Sequence, residues 1–147
     1  MPSYKDLLKT FNGYYIWPKY AAVKLNEYFT TDEFACPCVH SDCNEQRIHT
    51  SIVDKLFSLR KELGVPITVT SAFRCGRHQA DLANTPGIET AKGTSTHELG
   101  QAVDMKCKKM TELYVASYKH FRAIGKAKKF LHVDLRDDKE RRWTYGY

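Results

Sequence analysis

The chain has 147 residues, 42% hydrophobic and 27% charged, with a formal net charge of +6. This length suits one domain over residues 1–147 with a core of its own and no need of covalent staples. No apolar run approaches the roughly 20 residues of a membrane-spanning helix, and the first five residues lack the charged head and apolar stretch of a signal peptide. The expectation is synthesis in a cytoplasm, without insertion into a membrane.

Residues 1–30 are rich in aromatics, among them Tyr4, Phe11, Tyr14, Tyr15 and Trp17, and read as an arm packed on the body with a short helix over 4–11. Thr30 and Glu33 have the spacing of a capping box for a helical turn. The strongest periodicity follows. Ile48, Ile52, Leu56, Leu59 and Leu63 recur at three- and four-residue intervals and predict a helix over 48–63, ended by Gly64 and Pro66. A short strand is expected over 67–70, a loop over 84–96, and a second helix over 111–122 with Leu113, Tyr114, Tyr118 and Phe121 inward.

Five cysteines cannot all pair within one chain. Cys36, Cys38 and Cys43 crowd around His40, a set of donors with the chemistry of a structural zinc site. All four fall in one short loop, whereas such sites usually draw ligand pairs from separate elements. The reading taken is free thiols in a reducing compartment. The lysines between residues 106 and 129 fit either a solvated face or a surface for polyanions, and charge alone does not choose.

Two later runs place polar groups among apolar ones. In 130–135, Leu131, Val133 and Leu135 share one strand face, while Phe130, His132 and Asp134 share the other. In 102–107, Val103, Met105 and Cys107 form an apolar face opposite Ala102 and Asp104. A carboxylate or imidazole in such a place is costly to desolvate unless something pairs with it. His97, just before the 102–107 run, completes a set of two imidazoles and one carboxylate with Asp104 and His132. That is the ligand count of a catalytic zinc whose fourth position is kept for water. Asp134, on the same face as His132, is the candidate general base. The order His97-Glu98-Leu99-Gly100-Gln101 is not the helical zinc-peptidase motif, because Gln101 stands where a second histidine is required.

At these residues the chain resembles the zinc D-alanyl-D-alanine carboxypeptidase family. That family includes phage L-alanyl-D-glutamate endolysins and shares its fold with murein endopeptidases and the hedgehog signalling domain. The family pattern Ser-x-His-x-x-Gly-x-Ala-x-Asp is met by Ser95, His97, Gly100, Ala102 and Asp104. The later His-Val-Asp strand is met by His132 to Asp134, and the earlier Ser-x-x-Arg turn by Ser71 and Arg74. The likeness spans roughly residues 29–143. It implies His97, Asp104 and His132 as ligands of one zinc ion, and Arg74 as the anchor of a substrate carboxylate or carbonyl. Ser95 and Ser71 would be supporting substrate contacts. Many members carry an acid three residues before the last histidine, where this chain has Lys129.

The fold expected is α+β: a small, mostly antiparallel sheet with helices on one face and the zinc cleft on the other. The function expected is hydrolysis of peptidoglycan stem peptides by a monomer, a phage or prophage lysin acting on the wall after release or within a virion. Two other readings stand beside it. One is a zinc-stabilised wall-binding or interaction module without catalysis. The other is a nucleic-acid binder, for which the sequence offers neither recognition helix nor stacking platform.

Overall fold

The computed structural model describes residues 4–91 and 93–147; residues 1–3 of the expected arm and Lys92 of the expected loop lie outside the described residues. The chain opens with a 3-10 turn at Tyr4–Leu7, not a helix over 4–11. Strands β1 (Lys9–Phe11) and β2 (Tyr14–Pro18) then form a hairpin around Asn12 and Gly13. Both turn residues have positive φ, 51° and 84°, which is what a two-residue hairpin turn requires and what Asn-Gly supplies. Strand β3 (Glu45–His49) completes this three-stranded antiparallel sheet. Of the aromatic residues in the expected arm, Trp17 and Phe29 lie in the core, Tyr15 and Tyr28 pack against it, and Phe11 and Tyr20 are exposed.

The Thr30–Glu33 box forms at the 3-10 helix Thr31–Phe34, with the Glu33 carboxylate accepting from Thr30 N at 2.7 Å. Helix α1 (Thr50–Leu63) starts two residues later than its periodicity predicts. Ile48 instead belongs to β3, opposite Tyr15, and His49 caps the helix, its Nδ1 accepting from Ser51 N. Strand β4 (Thr68–Ser71) follows, then an unexpected helix α2 (Gly76–Ala83).

Strands β5 (Ala102–Lys106), β6 (Ala123–Lys126), β7 (Leu131–Asp134) and β8 (Arg141–Thr144) join β4 in a five-stranded sheet of order β4-β5-β7-β6-β8. All its pairings are antiparallel except β6 with β8. Helix α3 (Met110–Ser117) ends before 122: the Ser117 hydroxyl bonds Leu113 O, and the chain turns as His120 N and Phe121 N bond Ser117 O. Tyr118, expected inward, is therefore 45% exposed, while Phe121 is buried as expected.

One face of the sheet is apolar. Val103, Met105, Ile124, Leu131 and Val133 pack with Ile52, Leu56 and Leu59 of α1 and Leu113 of α3 in a single core. Alternation along each strand then commits the intervening residues to the opposite face. The architecture is α+β with a mostly antiparallel sheet, as the sequence implies. Among the described residues no helix is long and apolar enough to cross a membrane.

Candidate metal centre

The polar face is organised along one line across the strands. Ser71 of β4 pairs with Asp104 of β5, Asp104 with His132 of β7, His132 with Gly125 of β6, and Gly125 with Trp143 of β8. Residues in register across adjacent strands point the same way, so one row delivers a hydroxyl, a carboxylate, an imidazole and an indole to one surface. Gly125 is the gap in that row. A Cβ there would drive into the Trp143 indole, and without one the indole lies beside His132 with ring centroids 5.4 Å apart.

His97 enters from the turn ahead of β5. The Ser95 hydroxyl accepts from His97 N at 3.2 Å, and Arg74 N and Gly100 N both bond His97 O. Gly100 has φ +69°, and an added Cβ would stand 2.8 Å from Arg47 Cγ and 3.1 Å from Arg47 O. Only glycine lets this turn sit so tightly against β3.

His97, Asp104 and His132 are all buried, and one ligand atom from each lies within 4.8 Å of the others, a group that could hold a metal ion. His97 Nε2 is 3.3 Å and His132 Nδ1 is 2.9 Å from the same Asp104 Oδ1. The far nitrogens are already engaged. His97 Nδ1 meets Ala72 O at 2.7 Å, and His132 Nε2 meets Asp134 Oδ2 at 2.8 Å. A carbonyl can only accept, so the His97 hydrogen sits on Nδ1 and the neutral ring turns its Nε2 lone pair towards Asp104. A lone pair facing a carboxylate oxygen is repelled by it unless a proton or a metal ion lies between them, and burial disfavours the protonated ring. The donor set fits zinc, with the outer nitrogens fixed as metal-binding histidines have them.

Electrostatics point the same way. Burial lowers the His97 pKa below the ordinary histidine value, against the pull of Asp104. Burial also opposes charge on His132, but the carboxylates of Asp104 and Asp134 on its two nitrogens outweigh it and raise its pKa. Burial would raise the Asp104 pKa, yet the two histidines hold it well below the usual carboxylate range. His97 is thus held neutral while His132 is drawn towards positive charge, and a divalent ion beside Asp104 would supply that charge without protons.

Arg74 is also buried, and each of its three nitrogens is engaged, Nη1 also reaching Thr90 Oγ1 at 3.4 Å. Its Nε donates to Ser71 Oγ at 3.0 Å, Nη1 to Gln79 Oε1 at 3.1 Å, and Nη2 to Asp104 Oδ2 at 3.3 Å. Ser71, Ser95, Arg74, His97, Asp104 and His132 are thus gathered together. Asp134 stands apart from the cleft. It is fully buried, behind the His132 ring, with Arg136 Nε and Nη2 donating to its oxygens at 2.9 and 2.8 Å. Burial would raise its pKa, but His132 and Arg136 hold it down at about 2.

Above the row opens a cavity of about 540 Å³ lined by Arg74, His97, Asp104, His132, Trp143 and Tyr145, among others. The aromatic wall escaped the sequence analysis. Its signal is the alternation of Trp143, Tyr145 and Tyr147, and tilted ring contacts at 5.4 and 6.0 Å join the last two to Phe130, the residue before β7. Among the lysines between residues 106 and 129, Lys119 pairs with Glu62, and Lys126 lies over Tyr114.

An open, mostly antiparallel sheet that gathers two imidazoles and a carboxylate beneath a cleft is the arrangement of a metal-assisted hydrolase. Comparison with family models narrows this class: the model of peptidase M15 matches residues 27–134, and the chain belongs to that family of zinc-dependent metallopeptidases. No curated protein matches it significantly.

Proposed function

We propose that this chain is a zinc peptidase that hydrolyses peptide bonds in the stem peptides of bacterial peptidoglycan, serving a phage or prophage as a lysin. The observation that carries the reading is the convergence of His97 Nε2 and His132 Nδ1 on Asp104 Oδ1 while both outer ring nitrogens are tied to oxygen acceptors. The family match and the Ser95–Asp104 pattern support it. The net charge of +6 suits an anionic wall.

His97, Asp104 and His132 hold the ion, which when bound lowers the pKa of a water towards ~7 and polarises a carbonyl. Arg74 lies beside that position, and its planar fork suits the carboxylate or carbonyl of a stem peptide. Ser71 holds Arg74 Nε and Ser95 holds the backbone of His97, and Ser95 also lines the cleft where a substrate would lie. Trp143 and Tyr145 form an aromatic wall on one side of the cleft. Asp134, read from the sequence as the base, has its oxygens occupied by His132 and Arg136, which supports a narrower role. It keeps the His132 hydrogen on Nε2 and the Nδ1 lone pair towards the cleft.

Mass spectrometry of muropeptides digested with and without a chelator tests the reading, and the bond lost identifies a D,D-carboxypeptidase or an L-Ala-D-Glu endopeptidase. Zinc-loaded protein that leaves purified wall intact would favour a binding module instead. Undiminished cleavage after complete removal of metal would end the proposal.

A further inference from the structure

Three of the cysteines near His40 acquire a different fourth partner in the folded chain. Cys36, Cys38 and Cys43 lie between the Thr31–Phe34 turn and β3, and Cys75 caps α2, yet their four sulfurs all lie within 4.8 Å of one another. His40 is elsewhere, its Nε2 3.1 Å from Asp81 Oδ2. We infer that Cys36, Cys38, Cys43 and Cys75 form a second zinc site, a four-thiolate structural centre separate from the His97–Asp104–His132 group.

Geometry agrees with the ion. Four sulfurs at about 2.3 Å from a tetrahedral zinc stand about 3.8 Å apart, and Cys38 Sγ and Cys75 Sγ are 3.6 Å apart. The ligands come from two elements far apart in sequence, which removes the objection that all the donors sit in one loop.

The second observation is the shell around the sulfurs. Each one accepts from a different N–H group: Cys36 Sγ from Cys75 N at 3.4 Å, Cys75 Sγ from His78 N at 3.4 Å, Cys43 Sγ from Gln46 Nε2 at 3.5 Å, and Cys38 Sγ from Lys19 Nζ at 3.6 Å. Four acceptors turned inward with four donors behind them is the pattern of metal thiolates. Zinc with four thiolates carries two net negative charges, and the Lys19 ammonium and the N-terminal end of α2 offset them. Soft, tetrahedral all-sulfur coordination selects zinc or iron, and zinc brings no redox chemistry.

Such a centre has a clear structural task. Residues 37–42 are without helix or strand, Val39 is 97% exposed, and the local apolar cluster comprises little beyond Cys36, Cys43 and Phe73. The ion would fasten this segment to Cys75, the neighbour of Arg74, and so brace one wall of the cleft.

Protein purified under reducing conditions should carry two zinc ions per chain, with X-ray absorption showing half the zinc in an all-sulfur shell at about 2.3 Å. A mercurial thiol reagent on the wild-type protein should release one equivalent while the other remains. Cys38→Ser and Cys75→Ser should each lose that equivalent, and His132→Ala should retain it. A zinc shell without sulfur, no zinc release on thiol titration, or these cysteines found in disulfides would overturn the inference. One zinc in an all-sulfur shell in the wild type would uphold it and count instead against the His97–Asp104–His132 centre.

Discussion

Gly125 and Trp143 are register partners in the one parallel ladder of the larger sheet, and the Trp143 indole occupies the space that a side chain on residue 125 would fill. Because Gly125 is also the partner of His132, this missing Cβ lets an aromatic ring reach the histidine from two strands away. Gly125→Ala should displace the indole at a cost of about 1–3 kcal/mol, as overpacking does. Urea unfolding measures the cost, and a shift in tryptophan emission reports the displaced ring.

Asp134 supports His132 from behind, so its loss should weaken metal binding before it impairs chemistry. Asp134→Asn should lower zinc affinity by roughly 10- to 100-fold, the usual effect of removing such a partner. At saturating zinc most of the hydrolytic rate should return. A rate still down by roughly 10²–10⁴ at full occupancy would mark Asp134 as the general base after all.

The same carboxylate governs acid stability. Its pKa is depressed from 3.8 to about 2 in the folded chain, so its contribution is present above pH 3.8 and is lost as pH falls through about 2. That shift corresponds to about 2 kcal/mol in metal-free protein. Chelator-treated wild type should lose this increment between pH 4 and pH 2 in urea titrations, and Asp134→Asn should lack it throughout.

Arg74 uses its three nitrogens on four different residues, a geometry that an ammonium cannot copy. Arg74→Lys should reduce kcat/KM on stem peptides by about ten- to hundred-fold, the equivalent of one charge-assisted hydrogen bond at about 1.5–3 kcal/mol. Zinc content should stay unchanged. Loss of metal together with activity would mean that Arg74 acts mainly by holding Asp104.

Much of the site was legible because its signals are local. Alternation in Leu131–Asp134 and Ala102–Lys106 separates an apolar from a polar face without knowledge of the partners, and the periodicity of α1 marks the helix that covers the apolar one. The short strands β6 and β8 carry weaker patterns. Ala123–Lys126 includes a glycine, and its strand character comes from pairing with β7 on one side and β8 on the other. The Asn12-Gly13 pair is a local hairpin signal, and it outweighs the helix expected over 4–11 by drawing Lys9–Phe11 into β1.

The residue pattern alone determined which side chains could meet at a metal, since strand geometry assigns faces two residues at a time. Only the tertiary structure decided their surroundings: Asp134 behind His132, Trp143 over Gly125, and Cys75 beside three cysteines more than thirty residues earlier. Those relations depend on strand order and loop closure, which follow from the balance of the whole core and leave no local trace in the chain.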